Sequence, residues 1–323
     1  MRGPRWAGRS LELRAPTGTG AMYRVLPALM LAAALAVAAT GCSTSGPARP
    51  RHSQPPASYY LSLGDSLAQG VQPNSSGTSV ETGLGYANQL FAALRSHQPG
   101  LRLVKLGCPG ETTVTMIHGG ICRYRGGSQL AAAISFLRAH RGRVPLVTID
   151  IGANDADGCI TRLTLAKFAS CLTRSVPQVT SNLAKILPGL RQADPHGRII
   201  AMSYYLPALA QWRDGLIGEA VARLSELTIA GYNVLLNHVY QSFGVRVADV
   251  FGAFHTSDFS QQVTVPGFGR LPRNVAAICQ WTWECAAPPR GPNVHANEAG
   301  YGVIAGAFLR ADPPATTAPA VAG

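Results

Sequence analysis

The stretch of sequence that decides the fold reads Ser58-Tyr-Tyr-Leu-Ser-Leu-Gly-Asp-Ser-Leu67. A short apolar and aromatic run that ends in glycine predicts a β-strand that enters a tight turn. Further apolar runs predict four more strands, and apolar residues at helical spacing predict helices between them. The predicted strands are Ser58–Gly64, Leu101–Leu106, Pro145–Ile151, Arg198–Tyr204 and Val245–Val250, and the predicted helices are Tyr86–His97, Gln129–His140, Thr164–Ala193, Leu216–Phe243 and Asn297–Leu309.

This alternation of strands and helices predicts an α/β fold, a three-layer α/β/α sandwich with a five-stranded parallel sheet. Pro177 and Pro188 are expected to break the helix of residues 164–193. The helix of residues 216–243 carries a stripe of apolar residues that we expect to face the core. These residues are Leu216, Ala220, Leu224, Leu227, Val234, Leu235 and Val239. In such sheets the functional site lies beyond the carboxyl ends of the strands, at a topological switch point.

Composition and charge exclude several classes of protein. Of the 323 residues 46% are hydrophobic and 14% are charged, which is typical of a folded chain rather than a highly charged disordered one. The net charge is +12, but the basic residues form no compact stripe, so we expect no nucleic-acid partner. No apolar run reaches the ~18 residues of a membrane-spanning helix, which excludes a polytopic membrane protein.

The chain begins with the features of an exported protein. Residues 1–41 are interpreted as an N-terminal extension followed by a signal peptide, with Met22-Tyr-Arg24 before an uncharged Leu/Ala run. The run ends in Ala39-Thr-Gly-Cys42, which resembles a bacterial lipobox and predicts lipidation of Cys42. The alternative is an ordinary signal peptide that is cut near Ala39. Residues 42–57 predict a flexible tether, residues 58–312 the folded domain and residues 313–323 a disordered tail.

The cysteine count agrees with export and lipidation. Seven cysteines are present, and setting Cys42 aside leaves six in three pairs that are close in sequence. The simplest connectivity in an oxidising compartment joins Cys108 to Cys122, Cys159 to Cys171 and Cys279 to Cys285. A zinc site is the competing interpretation, but no Cys-x-x-Cys and no histidine at ligand spacing accompanies these cysteines, so we predict no metal.

Three predicted strand ends carry unusual residues. Ser66 follows the first strand on a tight turn, where a serine hydroxyl is exposed and its N–H can face an oxyanion. Gly110 follows the second strand and can present its N–H, and the Asn154 carboxamide after the third can donate to an oxyanion. His295 opens the last helix and is placed to reach back to Ser66 as a general base. Taken singly, the Ser66 motif fits a helix cap equally well, the Gly110 turn is better explained as a turn pinned by a disulfide, and Asn154 fits an ordinary polar turn.

Together, the four segments resemble the SGNH hydrolase superfamily, also called GDSL esterases and lipases. The matching blocks are Gly64-Asp-Ser66-Leu, Gly110-Glu-Thr, Gly152-Ala-Asn154-Asp and His295. Actinobacterial secreted members are similar in having Gly-Cys-Pro-Gly-Glu-Thr, as at residues 107–112, and a cysteine-bracketed Thr-Trp, as at residues 279–285. The resemblance implies a flavodoxin-like fold with Ser66 as nucleophile and His295 as base. It also implies an oxyanion hole made of the Ser66 N–H, the Gly110 N–H and the Asn154 side chain.

One position departs from the family pattern. The family has an aspartate three residues before the histidine, where this chain has Pro292. Some members orient the histidine with a backbone carbonyl from that position, so we predict a Ser–His dyad oriented by the Pro292 carbonyl. Asp249 is a candidate substitute for the missing carboxylate.

A long loop is predicted between Phe251 and Pro292, and it is rich in aromatic residues. Its aromatic side chains form either an acyl-binding wall or a small satellite core. They are Phe251, Phe254, Phe259, Phe268, Trp281 and Trp283.

The leading functional hypothesis is a surface-tethered or secreted serine esterase or lipase that needs no cofactor. Its partners would be a small-molecule or lipid ester and, through the lipid anchor alone, a membrane; we expect a monomer. The alternatives are a carbohydrate esterase that removes acetyl groups from envelope polysaccharide and a catalytically inactive surface-binding lipoprotein. The missing aspartate favours the inactive form, whereas Ser66, Gly110, Asn154 and His295 argue against it.

Overall fold

The computed structural model describes residues 57–160 and 165–312, and it describes side chains within these ranges except at residues 157–174. The signal segment, Cys42, the tether before residue 57 and the C-terminal tail predicted above therefore lie outside the described residues. Among the described residues, no helix is both long enough and apolar enough to cross a membrane.

The core of the fold is a five-stranded sheet in which all neighbours are parallel, with the order β4-β1-β5-β6-β7. The strands described, in chain order, are β1 (Ser58–Gly64), β2 (Gln72–Pro73), β3 (Ser79–Val80), β4 (Leu101–Lys105), β5 (Leu146–Asp150), β6 (Arg198–Met202), β7 (Arg246–Ala248), β8 (Gln262–Val265) and β9 (Gly269–Pro272). The short strands β2 and β3 form one antiparallel pair, and β8 and β9 form another. The predicted five-stranded parallel α/β sandwich is thus confirmed.

The strand order locates the switch point of the sheet. Strand β1 is central, with β4 on one side and β5 on the other, in a register that places Tyr60 beside Leu103 and Leu146. The chain leaves β1 toward β4 and leaves β5 in the opposite direction toward β6. A crevice for a ligand is therefore expected between the carboxyl ends of β1 and β5.

Helices cover the sheet in two layers. The helices described are α1 (Ser66–Gln69), α2 (Tyr86–Arg95), α3 (Thr113–His118), α4 (Gln129–Ala139), α5 (Ala153–Ile160), α6 (Leu165–Ala193), α7 (Gly215–Ser242), α8 (Val250–Ala253), α9 (Arg273–Trp281) and α10 (Glu298–Ala311), and a 3₁₀ helix spans Pro207–Asp214. Helix α2 packs on α10, whereas α4 and α7 both pack on α6. The predicted helices agree with α2, α4, α6, α7 and α10 to within two residues at each end.

Two expectations about the long helices are wrong. Helix α6 continues through Pro177 and Pro188 rather than breaking there. Each proline costs about 3 kcal/mol in a helix interior, and the burial of several large apolar side chains at about 1.5–3 kcal/mol each offsets that cost. These side chains are Val179, Leu183, Ile186, Leu187 and Leu190.

Helix α7 buries a different face from the one expected. Leu216, Leu224, Leu227 and Val234 of the predicted core stripe are exposed to solvent. The helix instead packs a face with two tyrosines against the core, and Val239 is the member of the predicted stripe that is buried there. The buried face includes Ala222, Ile229, Tyr232, Leu236, Val239 and Tyr240.

The segment between Phe251 and Pro292 is also structured, contrary to the predicted long loop. It forms the end of α8, the β8–β9 hairpin and α9. Gly267 and Gly269 both have positive φ values and turn the hairpin. Helix α9 then buries Val275, Ala276 and Ile278 against the core.

Candidate active site

A cavity of about 240 Å³ lies where the strand order predicts a crevice. Ser66, Asn154 and His295 all line it, although they come from distant parts of the chain. Apolar and aromatic side chains complete most of the wall, including Leu67, Tyr205 and Ile229 in the described part of the chain. The structure thus brings together three of the predicted site residues; the fourth, Gly110, is exposed outside this wall.

The turn that carries Ser66 is held by close packing and by hydrogen bonds to its backbone. Gly64 has φ +131°, and a Cβ at this position would lie 2.2 Å from the carbonyl oxygen of Asp150, so no other residue fits. Buried Gln129 accepts a hydrogen bond from the Gly64 N–H at 2.7 Å and donates one to its carbonyl at 2.9 Å. Asp65 caps α1 by accepting from the N–H of Leu67 at 2.9 Å. The cap predicted as an alternative for this motif is therefore present, and it is compatible with an active Ser66.

A second carboxyl group, which the sequence analysis missed, lies beneath this turn. Asp150 ends β5, is fully buried, and its Oδ2 accepts from the N–H groups of Asp65 at 3.3 Å and Ala68 at 3.2 Å. Its Oδ1 accepts from the Tyr86 hydroxyl at 2.5 Å. Burial, and next the neighbouring charge of Asp65, raise the pKa of Asp150 well above its usual range. The raised pKa favours the protonated form of this carboxyl group, which holds the turn in place through the hydrogen bonds that it accepts.

These bonds leave one donor of the turn unused. The N–H groups of Leu67 and Ala68 are bound by Asp65 and Asp150, but the Ser66 N–H has no acceptor among the described residues. The first N–H groups of a helix have no partner within the helix. A free N–H on a residue of the cavity wall can donate to an anionic oxygen bound there.

Asn154 joins the turn after β5 to the other two loops. Its Nδ2 donates to the backbone carbonyl of Glu111 at 2.8 Å and, over a longer 3.3 Å, to Oδ2 of Asp65. Both partners are acceptors, which fixes the orientation of the amide. Glu111 directly follows Gly110, whose φ of +81° places its backbone in the left-handed region. The Gly110 loop is therefore tied to the cavity through its neighbour.

Asp155 fastens the same loop from the other side. Its carboxylate accepts from the Thr113 N–H at 2.8 Å and from the Thr113 hydroxyl at 2.6 Å. A disulfide between Cys108 and Cys122 closes the segment that contains Gly110. Of the other two expected pairs, Cys279–Cys285 is also present, whereas the side chains of Cys159 and Cys171 lie outside the described ones.

His295 is held by the cysteine-bracketed segment. The backbone N–H of Trp283 donates to the His295 carbonyl at 3.0 Å, and the neighbouring Thr282 pairs with Ala296 in an antiparallel bridge. The disulfide between Cys279 and Cys285 brackets this segment. It therefore supports the backbone that presents His295 to the cavity.

The partner of His295 is not the one predicted from the sequence. Its Nδ1 lies 2.7 Å from Oδ1 of Asn293, and its backbone N–H donates to the same oxygen at 3.1 Å. The Pro292 carbonyl therefore does not take this place. Asp249 does not take it either, because it caps α8 by accepting from the Gly252 N–H. The sequence places a side-chain oxygen two residues before His295, but that oxygen reaches the ring only because of the backbone turn between them.

These contacts fix the tautomer of His295. A backbone N–H can only donate, so the shared atom of Asn293 is its oxygen, and Nδ1 must carry the proton that it shares with that oxygen. Nε2 is then unprotonated and can accept a proton. Burial lowers the pKa of His295 to about 4, which keeps the ring neutral at ordinary pH. No hydrogen bond joins Ser66 to His295 in the described chain, and such bonds often tighten only with substrate.

The aromatic residues of the segment 251–292 do not line the cavity. Phe254 is fully buried. Its ring stacks on that of Tyr205, with the ring centroids 4.5 Å apart, and contacts the ring of Trp281 edge-on, with the centroids 5.4 Å apart. Phe259 contacts Trp212 at 5.3 Å. The satellite-core interpretation therefore fits this segment, and the acyl-wall interpretation does not.

Comparisons with known proteins agree with this geometry. A family model described as the GDSL-like Lipase/Acylhydrolase family matches residues 62–303. An extracellular lipase from Streptomyces rimosus is 17% identical with a TM-score of 0.53, and the match covers 79% of this chain and 100% of that one. Phospholipase A1 from Streptomyces albidoflavus is 18% identical with a TM-score of 0.50, over 79% of this chain and 99% of that one. At these identities the likeness shows the fold, and no curated protein sequence matches the chain.

Proposed function

The chain belongs to the GDSL-like lipase/acylhydrolase family and is a carboxylic-ester hydrolase, and we propose that it works through an acyl-enzyme on Ser66. The observation that carries this proposal is the convergence of Ser66, Asn154 and His295 on one cavity at the switch point of the sheet. Nucleophile, base and oxyanion donors are the groups that acyl transfer requires within reach of one carbonyl.

In the first step, the Ser66 hydroxyl attacks the ester carbonyl while Nε2 of His295 takes its proton. The negative oxygen that forms receives hydrogen bonds from the Ser66 N–H, the Gly110 N–H and the Asn154 amide. Both N–H bonds of Asn154 are occupied in the free protein, so its donation to the oxyanion replaces the 3.3 Å bond to Asp65. Each such donor typically contributes about 3 kcal/mol to transition-state stabilisation.

His295 then returns the proton to the leaving alcohol, and the acyl group stays on Ser66. Water that His295 deprotonates attacks the acyl-enzyme. As the second tetrahedral intermediate collapses, the bond to Ser66 breaks, His295 returns the proton to the Ser66 oxygen, and the acid is released. Asn293 acts through His295 by keeping its proton on Nδ1. The cycle uses the side chains and backbone N–H groups named above and one water molecule.

The decisive experiment is hydrolysis of p-nitrophenyl esters of increasing acyl length by the wild type and by Ser66→Ala. We expect Ser66→Ala to lose at least ~10⁴-fold in kcat, as removal of a triad nucleophile does in serine proteases. Ser96→Ala, whose hydroxyl bonds only to the Ala93 carbonyl at 2.6 Å, is the matched control. Mass spectrometry should place an alkylphosphonate label on Ser66. Equal turnover by Ser66→Ala and the wild type would rule out this nucleophile, and a wild type inert on every ester would support the catalytically inactive lipoprotein.

Export and lipid attachment at Cys42 are a separate proposal. The two disulfides support it, because such bonds persist in oxidising compartments. Globomycin should block processing of the wild type, and Cys42→Ala should release the protein from the membrane fraction. Unchanged processing and retention would favour an ordinary signal peptide.

A further inference from the structure

Two polar groups in the cavity wall have no partner. Oε2 of Glu284 and the hydroxyl of Tyr204 are buried without a hydrogen bond among the described residues. Buried polar groups in native proteins are almost always paired, and those that are not call for an explanation. The proposed mechanism uses neither group.

The charges of the cavity wall limit which ligand groups can bind to Glu284 and Tyr204. Asp65 and Glu284 both line the cavity, and no lysine or arginine does so in the described chain. The Asp65 carboxylate already accepts from Leu67 and Asn154, so Glu284 is the acceptor still open. A carboxylate or phosphate on the ligand would be repelled here, whereas an O–H or N–H donor would pair with Glu284.

The chain path places Glu284 on the side of the leaving group. His295 protonates the departing alcohol, so the alcohol portion of the ester must lie next to that ring. Glu284 directly follows Trp283, whose N–H bonds to the His295 carbonyl at 3.0 Å. Glu284 also lines the same cavity as His295, so its carboxyl group is taken to face the space that the alcohol occupies.

We propose that Glu284 binds a hydrogen-bond donor on the alcohol portion of the substrate, a hydroxyl or an ammonium group. This inference rests on the proposed function, since it places the alcohol by the role of His295. The substrate class is then an ester of a polar, donor-bearing alcohol, and esters of plain alkyl or anionic alcohols are poorer substrates. Glu284 sets specificity and does not take part in the bond changes.

Matched pairs of butyrate esters test this preference. The hydroxyl pair is 2-hydroxyethyl against propyl butyrate, and the ammonium pair is 2-(dimethylamino)ethyl against 3-methylbutyl butyrate. We expect kcat/KM of the wild type to favour the donor member of each pair by about tenfold or more, the size of a charge-assisted hydrogen bond. In Glu284→Ala both ratios should fall toward one. Glu284→Gln should keep part of the hydroxyl preference, because its carbonyl still accepts, and lose the ammonium preference.

The control variant is Glu219→Gln, which makes the same chemical change on α7 outside the cavity wall. It should leave both ratios unchanged, and circular dichroism should show that all variants are folded. The proposal would be overturned if the two kcat/KM ratios were near one in the wild type, or if they stayed unchanged in both Glu284 variants. Turnover of propyl butyrate would still uphold the proposed function in either case. An equal loss on all four esters in the Glu284 variants would also overturn the proposal, because it would make Glu284 part of the machinery. A wild type inactive on every ester would instead defeat the proposed function, and this inference with it.

Discussion

Replacing Asn293 tests how His295 is prepared as a base. Asn293→Leu removes the oxygen that accepts from Nδ1 at 2.7 Å and from the His295 N–H at 3.1 Å. The neutral ring can then place its proton on Nε2, which blocks proton uptake from Ser66. Loss of the correct tautomer costs ~10⁴ in a serine protease. Asn293 carries no charge to stabilise the imidazolium, so we expect a smaller loss of ~10²–10³ in kcat, about 3–4 kcal/mol.

Asn293→Asp makes the opposite change, since it keeps the acceptor and adds a negative charge. Burial holds the pKa of His295 at about 4 in the wild type. An adjacent carboxylate favours the charged ring and should raise that pKa by about 1–3 units. His295 works as a base only when neutral, so the acid limb of kcat/KM must move to higher pH. Asn88→Asp is the control, because it adds the same charge beside Lys105, outside the cavity wall.

The measurement is kcat/KM for one chromogenic ester across the acidic and neutral range, for the wild type and the three variants. Wild-type turnover by a folded Asn293→Leu would show that Asn293 does not orient the base. His295 is not the titrating group if the acid limb of the kcat/KM profile stays at the wild-type pH in Asn293→Asp. The same conclusion follows if the limb moves equally in Asn88→Asp.

Three further changes test the rest of the site. Asn154→Ala should lower kcat by ~10²–10³ through loss of an oxyanion donor, with a smaller change in KM, as steady-state kinetics would show. Gly64→Ala should lower the free energy of unfolding in urea by about 2–4 kcal/mol, because its Cβ would lie 2.2 Å from the Asp150 carbonyl at φ +131°. The raised pKa of Asp150 means that the native state binds a proton that the unfolded chain releases, so stability falls as pH rises above the unfolded pKa of Asp150. Asp150→Asn should fold and show a flatter dependence of unfolding free energy on pH, and an unchanged slope would contradict a raised pKa of Asp150.

The sequence predicted the sheet because its strands are buried on both faces. Such strands are nearly continuous apolar runs, and the residues after them fall at one edge of a parallel sheet whatever the loops do. That rule alone placed Ser66 and Asn154 near one another. The prediction failed for α7, because apolar residues lie on more than one face of this helix and spacing cannot tell which face meets the core. The face that meets the core carries Tyr232 and Tyr240.

The partner of His295 could not be predicted, because it depends on the conformation of a loop and not on a periodic pattern of apolar residues. Asn293 reaches the ring of His295 only because the chain folds back between these two residues. Backbone pairing with the segment around Trp283 holds the chain in that shape. Glu284 was missed for a related reason. The sequence around Glu284 has no pattern that predicts burial. Only the structure shows that its Oε2 is buried in the cavity wall without a hydrogen bond among the described residues.

The motif Gly64-Asp65-Ser66 is explained by the buried carboxyl beneath it. Helix α1 has four residues, too few for a helix dipole to orient the Ser66 N–H. The orientation comes instead from fixed bonds on the neighbouring N–H groups, which Asp65 and Asp150 supply. Gly64 is required because Asp150 fills the space of its side chain. The raised pKa favours the neutral form of Asp150 beside Asp65, where a second negative charge would repel the oxyanion that the turn is built to receive.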